Sequence, residues 1–198
     1  MKIGILDYGM GNLKSISNSL KHNEIINNIV TNYKDIKNND ILILPGVGAF
    51  ETAMKNLTTK KFTAEIKEHV EKNKKIIGIC LGMQLLFERS FEFGEHKGLS
   101  LIEGDVLPFK EKIKLRVPHV GWNECISLKK DFKQFQGDYY FVHSFYCKPK
   151  NENEIFLKSS YGINFCSGVK KSNIFGVQFH PEKSHNLGLS LLNKMVYE

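Results

Sequence analysis

The strongest constraint in this chain is a set of short apolar runs separated by stretches with helical spacing. Lys2–Leu6, Ile41–Leu44 and Lys75–Ile79 are apolar at consecutive positions once past the leading lysines. That pattern marks strands buried on both faces. Between them Leu13, Ile16 and Leu20, and later Phe62, Ile66 and Val70, recur at the period of one helix face. Strands alternating with helices predict an α/β fold, a mostly parallel sheet between two helical layers. From about Asp105 the texture changes. Cys125–Leu128, Tyr139–Val142, Ile155–Ser159, Ile163–Cys166 and Ile174–Phe179 read as strands with short connections. Nothing resembling a linker separates the halves, so an antiparallel extension of one sheet is predicted, within a single three-layer domain over residues 1–198. Leu187, Leu191 and Met195 predict a final helix packed on the core.

The most informative segment is Lys75–Glu88, in which a buried strand ends at Gly78-Ile79-Cys80-Leu81-Gly82 and a helical pattern over Leu81–Ser90 begins at once. This is a cysteine version of the nucleophile elbow, a turn so tight that its flanking positions need glycine. It presents Cys80 at the carboxyl edge of the sheet above a helix N-terminus, where a thiol that normally titrates near ~8.5 is more readily ionised. A nucleophilic cysteine needs a base, and the base needs an orienting group. His180 follows the apolar run of Ile174–Phe179, and Glu182 stands two residues on. In an extended segment they share a face, with Pro181 stiffening the link. His119 and His143 are alternative bases, but neither is followed by a carboxylate at that spacing. Pro45-Gly46-Val47-Gly48 forms a glycine turn after a buried strand. The backbone N–H of Leu81, with one from the Val47–Gly48 peptide, would supply the two donors an oxyanion requires. The glycines beside Val47 leave that peptide room to adopt more than one orientation.

Several classes are set aside. The net charge of +7 comes almost entirely from dispersed lysines, with Arg89 and Arg116 the only arginines, which does not describe a nucleic-acid surface. The longest apolar runs are too short to cross a bilayer. Met1-Lys2 leads straight into a strand, and the four cysteines are far apart without zinc spacing. A cytosolic protein with free thiols and no metal is the expectation. Gly9-Met10-Gly11 begins a dinucleotide fingerprint that Lys14 breaks, so no cofactor is expected.

Taken in order, Asp7–Asn12, Pro45–Phe50, Gly78–Phe87, Val117–Asn123, Tyr140–Ser144 and His180–Ser184 resemble the triad (class I) glutamine amidotransferases. Within these they look most like the glutaminase subunits of imidazole glycerol phosphate synthases, with Val120 and Phe145 standing where methionine and tyrosine are common. The resemblance spans essentially the whole chain. It implies a Cys80–His180–Glu182 triad that hydrolyses L-glutamine. It further implies that Gln84 and the backbone of Ser144-Phe145 bind the substrate. Such subunits dock as heterodimers on a (β/α)8-barrel cyclase that receives the ammonia for histidine biosynthesis. Trp122, Asn123, Tyr139 and Lys183 are the candidates for the docking face. A paralogous glutaminase of the same build, feeding another biosynthetic enzyme, would carry the same active site.

Overall fold

The computed structural model describes residues 1–110 and 112–198. The chain runs β1 (Ile3–Leu6), α1 (Leu13–His22), β2 (Asn27–Val30), β3 (Ile41–Leu44), α2 (Phe50–Thr59), α3 (Phe62–Glu71), β4 (Lys75–Ile79), α4 (Leu81–Leu85), β5 (Phe87–Ser90), β6 (His96–Lys97) and β7 (Ile102–Pro108). It continues through β8 (His119–Ser127), β9 (Gly137–His143), β10 (Phe145–Pro149), β11 (Ile155–Tyr161), β12 (Ile163–Lys171), β13 (Ile174–Val177) and α5 (His185–Tyr197). The strands form one mixed sheet in the order β2-β1-β3-β4-β13-β12-β10-β7-β5-β6, and β11, β8 and β9 branch from β12.

The apolar runs serve two faces at once because successive strand residues point to opposite sides. Ile3, Ile5, Ile41, Ile43, Ile77 and Ile79 pack with Ile16 and Leu20 of α1 and Leu191, Leu192 and Met195 of α5. Leu6, Leu42, Leu44 and Ile76 pack instead with Phe50, Ala53 and Leu57 of α2, Phe62 and Ile66 of α3, and Met83 and Leu85 of α4. Helices therefore cover both faces of the parallel half, as the sequence pattern predicts.

Three local expectations change. The helical pattern of Leu81–Ser90 ends at Leu85, and Phe87–Ser90 turns into β5, pairing with β7 and β6. Phe87 and Ser90 are fully buried there, so sheet pairing overrides the leucine periodicity. The run around Ile174 is not confined to the antiparallel region: β13 pairs antiparallel with β12 but parallel with β4, and so joins the two halves. The amphipathic helix α2 and the edge strand β2, with its two asparagines, add to the elements the sequence suggests.

The turn after β4 is held by close backbone packing. A Cβ on Gly82 would lie 1.8 Å from the Leu44 carbonyl oxygen, and one on Gly78 would lie 2.7 Å from the Gly82 oxygen. Neither neighbour is a side chain that can swing aside. Gly82→Ala is expected to lower the unfolding free energy by on the order of 3 kcal/mol, measured by urea denaturation.

Candidate active site

The site follows from one strand pairing. β4 and β13 are parallel and in register, Gly78 opposite Gly176 and Ile79 opposite Val177, so their carboxyl ends finish at the same edge. Cys80 is the next residue on the first strand, and His180 leaves the second three residues later. Clefts of open α/β sheets form at this edge. Cys80 adopts φ 55° and ψ −113°, a strained conformation for a residue with a side chain, and its N–H donates to the Val177 carbonyl at 2.8 Å. Strain of this kind is the mark of a nucleophile elbow.

His180 is pinned on both sides. Its N–H donates to the Tyr140 carbonyl at 2.9 Å, while Ser184 Oγ donates to the His180 carbonyl at 2.6 Å and accepts from the Tyr140 N–H at 3.0 Å. Phe179 beneath it stacks on Tyr139 with centroids 4.0 Å apart. His180 Nδ1 lies 2.8 Å from Glu182 Oε1. A carboxylate only accepts, so Nδ1 carries the proton and Nε2 is left for the thiol. The pairing matches the sequence expectation, but the geometry does not. Pro181–Lys183 is a single 3-10 turn, closed by Lys183 N–H on the His180 carbonyl at 3.0 Å, rather than extended chain. Pro181 has the φ that such a turn needs.

Burial disfavours a charge on His180, but a Cys80 thiolate and the Glu182 carboxylate outweigh it and raise the imidazole pKa to about 10. A charge on the Cys80 sulfur thus keeps the imidazole protonated. If the sulfur is acylated its charge disappears, and with it the leading cause of the rise. The same histidine then becomes able to accept a proton.

Cys80 and His180 open on a cleft of about 350 Å³ whose lining includes Val47, Gly48, Leu81, Gln84, Ser144, Phe145 and Lys183. Every residue predicted for the oxyanion and substrate sites therefore reaches one cleft. Gly48 has φ +108°, whereas Gly46 is buried and a Cβ there would meet Tyr8 Oη at 2.7 Å and Leu81 Cβ at 2.9 Å. Gly46 is thus a packing glycine, and the conformational freedom expected of the turn rests with Gly48. Gln84 Nε2 donates to the Phe145 carbonyl at 3.2 Å and to Gln178 Oε1 at 3.0 Å, which leaves its Oε1 for a ligand. No group of His, Cys, Asp or Glu among the described residues is arranged to hold a metal ion.

One docking candidate needs correction, and a second is only partly available. Tyr139 is fully buried, its hydroxyl donating to the Phe135 carbonyl at 2.7 Å, because alternate residues of β9 face the core. Asn123 is half-buried and engaged with the Ser160 carbonyl at 2.9 Å. Trp122 and Lys183 are exposed, Trp122 stacked on His185 and Lys183 over the Tyr140 ring. No motif marks Glu92, an acid in the cleft lining whose carboxylate accepts the Phe50 N–H of α2 at 2.5 Å. It lies far from any motif and reaches the site only through the fold.

His119 and His143, the alternative bases, have their ring nitrogens engaged with each other and with neighbouring groups. His143 Nδ1 lies 2.8 Å from the Phe145 carbonyl, so it is the donor, and its Nε2 accepts from His119 Nδ1 at 2.9 Å. Asn123 Nδ2 lies 3.3 Å from His119 Nε2 and completes the row. Burial lowers the His119 pKa to about 4. It also lowers that of His143 to about 3, with the charges of His119 and His180 adding to the effect.

A fold and a site of this kind define a class. The family model described as class-I glutamine amidotransferase matches residues 4–197, and the chain belongs to that family. Its curated relatives include the imidazole glycerol phosphate synthase subunit HisH 1 of Campylobacter jejuni subsp. jejuni, 49% identical with 96% of each chain covered. The imidazole glycerol phosphate synthase subunit HisH of Aquifex aeolicus is 43% identical, covering 97% of this chain and 94% of that one. Among solved structures, a glutamine amidotransferase superposes with TM-score 0.78 at 19% identity, covering 96% and 95%. A chain of PurLQS from Thermotoga maritima gives 0.76 at 19% identity, covering 99% and 97%.

The histidine row has a stability signature. Both groups titrate near 6.5 when unperturbed and lower in the fold, so their contribution is complete above pH 6.5 and is lost as pH falls towards about 4. Denaturant midpoints measured from pH 7 to pH 4.5 should fall for the native protein and fall less steeply for His119→Asn/His143→Asn.

Proposed function

We propose that this chain is the glutaminase subunit of an imidazole glycerol phosphate synthase, hydrolysing L-glutamine to L-glutamate and ammonia. The observation that carries the reading is the arrangement of Cys80, His180 and Glu182 at the edge of a cleft, with the 2.8 Å imidazole–carboxylate bond fixing which ring nitrogen meets the thiol. The Cys80 sulfur attacks the side-chain amide carbon of glutamine. The carbonyl electrons move to oxygen, which takes hydrogen bonds from the N–H of Leu81 and of the Val47–Gly48 peptide. His180 passes its proton to the amide nitrogen, the C–N bond breaks, and ammonia leaves a glutamyl thioester. His180, no longer facing a thiolate, accepts a proton from water, which attacks the thioester. Glutamate departs and the thiolate–imidazolium pair returns. Gln84 Oε1, the backbone of Ser144-Phe145 and the Glu92 carboxylate face the amino-acid end, where Glu92 suits the substrate's ammonium.

Ammonia released to water is protonated and lost, so a partner at the cleft mouth is part of the reading. Val120 (56% exposed), Trp122 (48%), Val47 (48%) and Val142 (38%) expose apolar surface, and the β8–β9 register sets Val120 opposite Val142. Val47, Val142 and Lys183 also line the cleft, so a subunit seated there covers its opening. A (β/α)8-barrel cyclase, the acceptor of the ammonia, is the proposed occupant.

Cys80→Ala is expected to abolish glutamine-dependent synthesis by the complex while ammonium salts still support it. Glu182→Gln should bind glutamine but turn over roughly 10²-fold or more slowly. Glutamate release and product formation, followed in parallel, test both. Normal glutamine use by Cys80→Ala would overturn the assignment.

A further inference from the structure

The sulfur of Cys80 has a polar neighbour outside the triad. Gln178 is fully buried two residues before His180, and its side-chain nitrogen lies 3.8 Å from Cys80 Sγ. A backbone carbonyl fixes the orientation of this amide. The Phe145 oxygen can only accept, so the Gln84 atom 3.2 Å from it is Nε2. That same Nε2 lies 3.0 Å from Gln178, whose facing atom must then be its acceptor, Oε1. Nε2 of Gln178 is left pointing at the sulfur, and a flip would set two NH2 groups against each other.

We propose that Gln178 is a catalytic residue of the glutaminase, donating an Nε2–H hydrogen bond to the Cys80 thiolate, with Gln84 and the Phe145 carbonyl holding it in the donor orientation. A thiol accepts hydrogen bonds weakly and a thiolate strongly, so the contact favours the ionised nucleophile over the neutral one. It also restrains the sulfur on the side away from solvent. The titratable groups around the sulfur are His180 backed by Glu182, the Tyr8 phenol, the Cys147 thiol and the His143 imidazole in the cleft wall. His180 is the one cation among them. Gln178 adds a donor whose strength does not depend on pH, so the thiolate is supported even when His180 gives up its proton. A buried amide that merely fills the core would satisfy Gln84 equally well but would leave the thiol's ionisation unchanged.

This inference rests on the glutaminase reading, but its test does not use glutamine. Cys80 alkylation by iodoacetamide, quantified by mass spectrometry of the peptide that contains it, is followed against pH for the whole chain. The midpoint should rise by about one to two pH units in Gln178→Leu. It should rise further in Gln178→Glu, which places an acceptor and a negative charge beside the sulfur. If Gln178→Leu fails to fold, as judged by circular dichroism, Gln178→Met, of similar length and without an N–H donor, takes its place with the same expected rise. Unchanged midpoints in the folded variants would assign Gln178 to packing and overturn the proposal, while leaving the triad to be judged by Cys80→Ala.

Discussion

The in-register parallel pairing of β4 with β13 is the interaction on which the rest of the site depends. These strands are far apart in sequence, yet the ladder ends both at the same height, so one delivers Cys80, the proposed nucleophile, and the other His180, its proposed base. The glycines at that end serve the same geometry. Gly78 and Gly82 let the chain reverse within a few residues, and Gly46 lets the turn after β3 approach Leu81 and Tyr8. A register shift of one residue would turn Cys80 and His180 to opposite faces.

Around that ladder, polar groups that would be costly to bury are spent on positioning. Ser184 ties the His180 backbone to β9, Tyr8 donates to the Pro45 carbonyl at 2.6 Å, and the Phe145 carbonyl collects hydrogen bonds from both Gln84 and His143. The Tyr8, Gln84 and Ser184–Tyr140 contacts join segments distant in sequence. The strained backbone at Cys80 is thus supported by neighbours held through packing and directional hydrogen bonds. The apolar surface at the cleft mouth is left uncovered by the chain itself, as suits a site whose product must not reach water.

Much of this was legible in the amino-acid sequence because the relevant signals are local. The apolar runs of β1, β3 and β4 report burial on both faces, and the glycine bracket around Cys80 reports a tight turn. His180-Pro181-Glu182 reports a base with its carboxylate, although a 3-10 turn rather than strand alternation brings them together. What was not legible depends on register and neighbours. Tyr139 and Tyr140 differ in burial only through the parity of β9, which cannot be read without knowing which face meets the core. Phe87–Ser90 follows leucines at helical spacing, and only the presence of β7 alongside makes it a strand. Glu92 and Gln178 stand outside any motif spacing and reach the site through tertiary contact.

The central claim is that Cys80 carries the glutamyl group and His180 governs its release. Acid quenching during turnover with isotopically labelled glutamine, followed by mass spectrometry of the digested chain, tests it directly. A glutamyl adduct should appear on Cys80, and in His180→Asn complexes, which lack both the acid that releases ammonia and the base that activates water, neither adduct nor glutamate should accumulate. Turnover with no adduct on Cys80, or with the label on another residue, would contradict the mechanism.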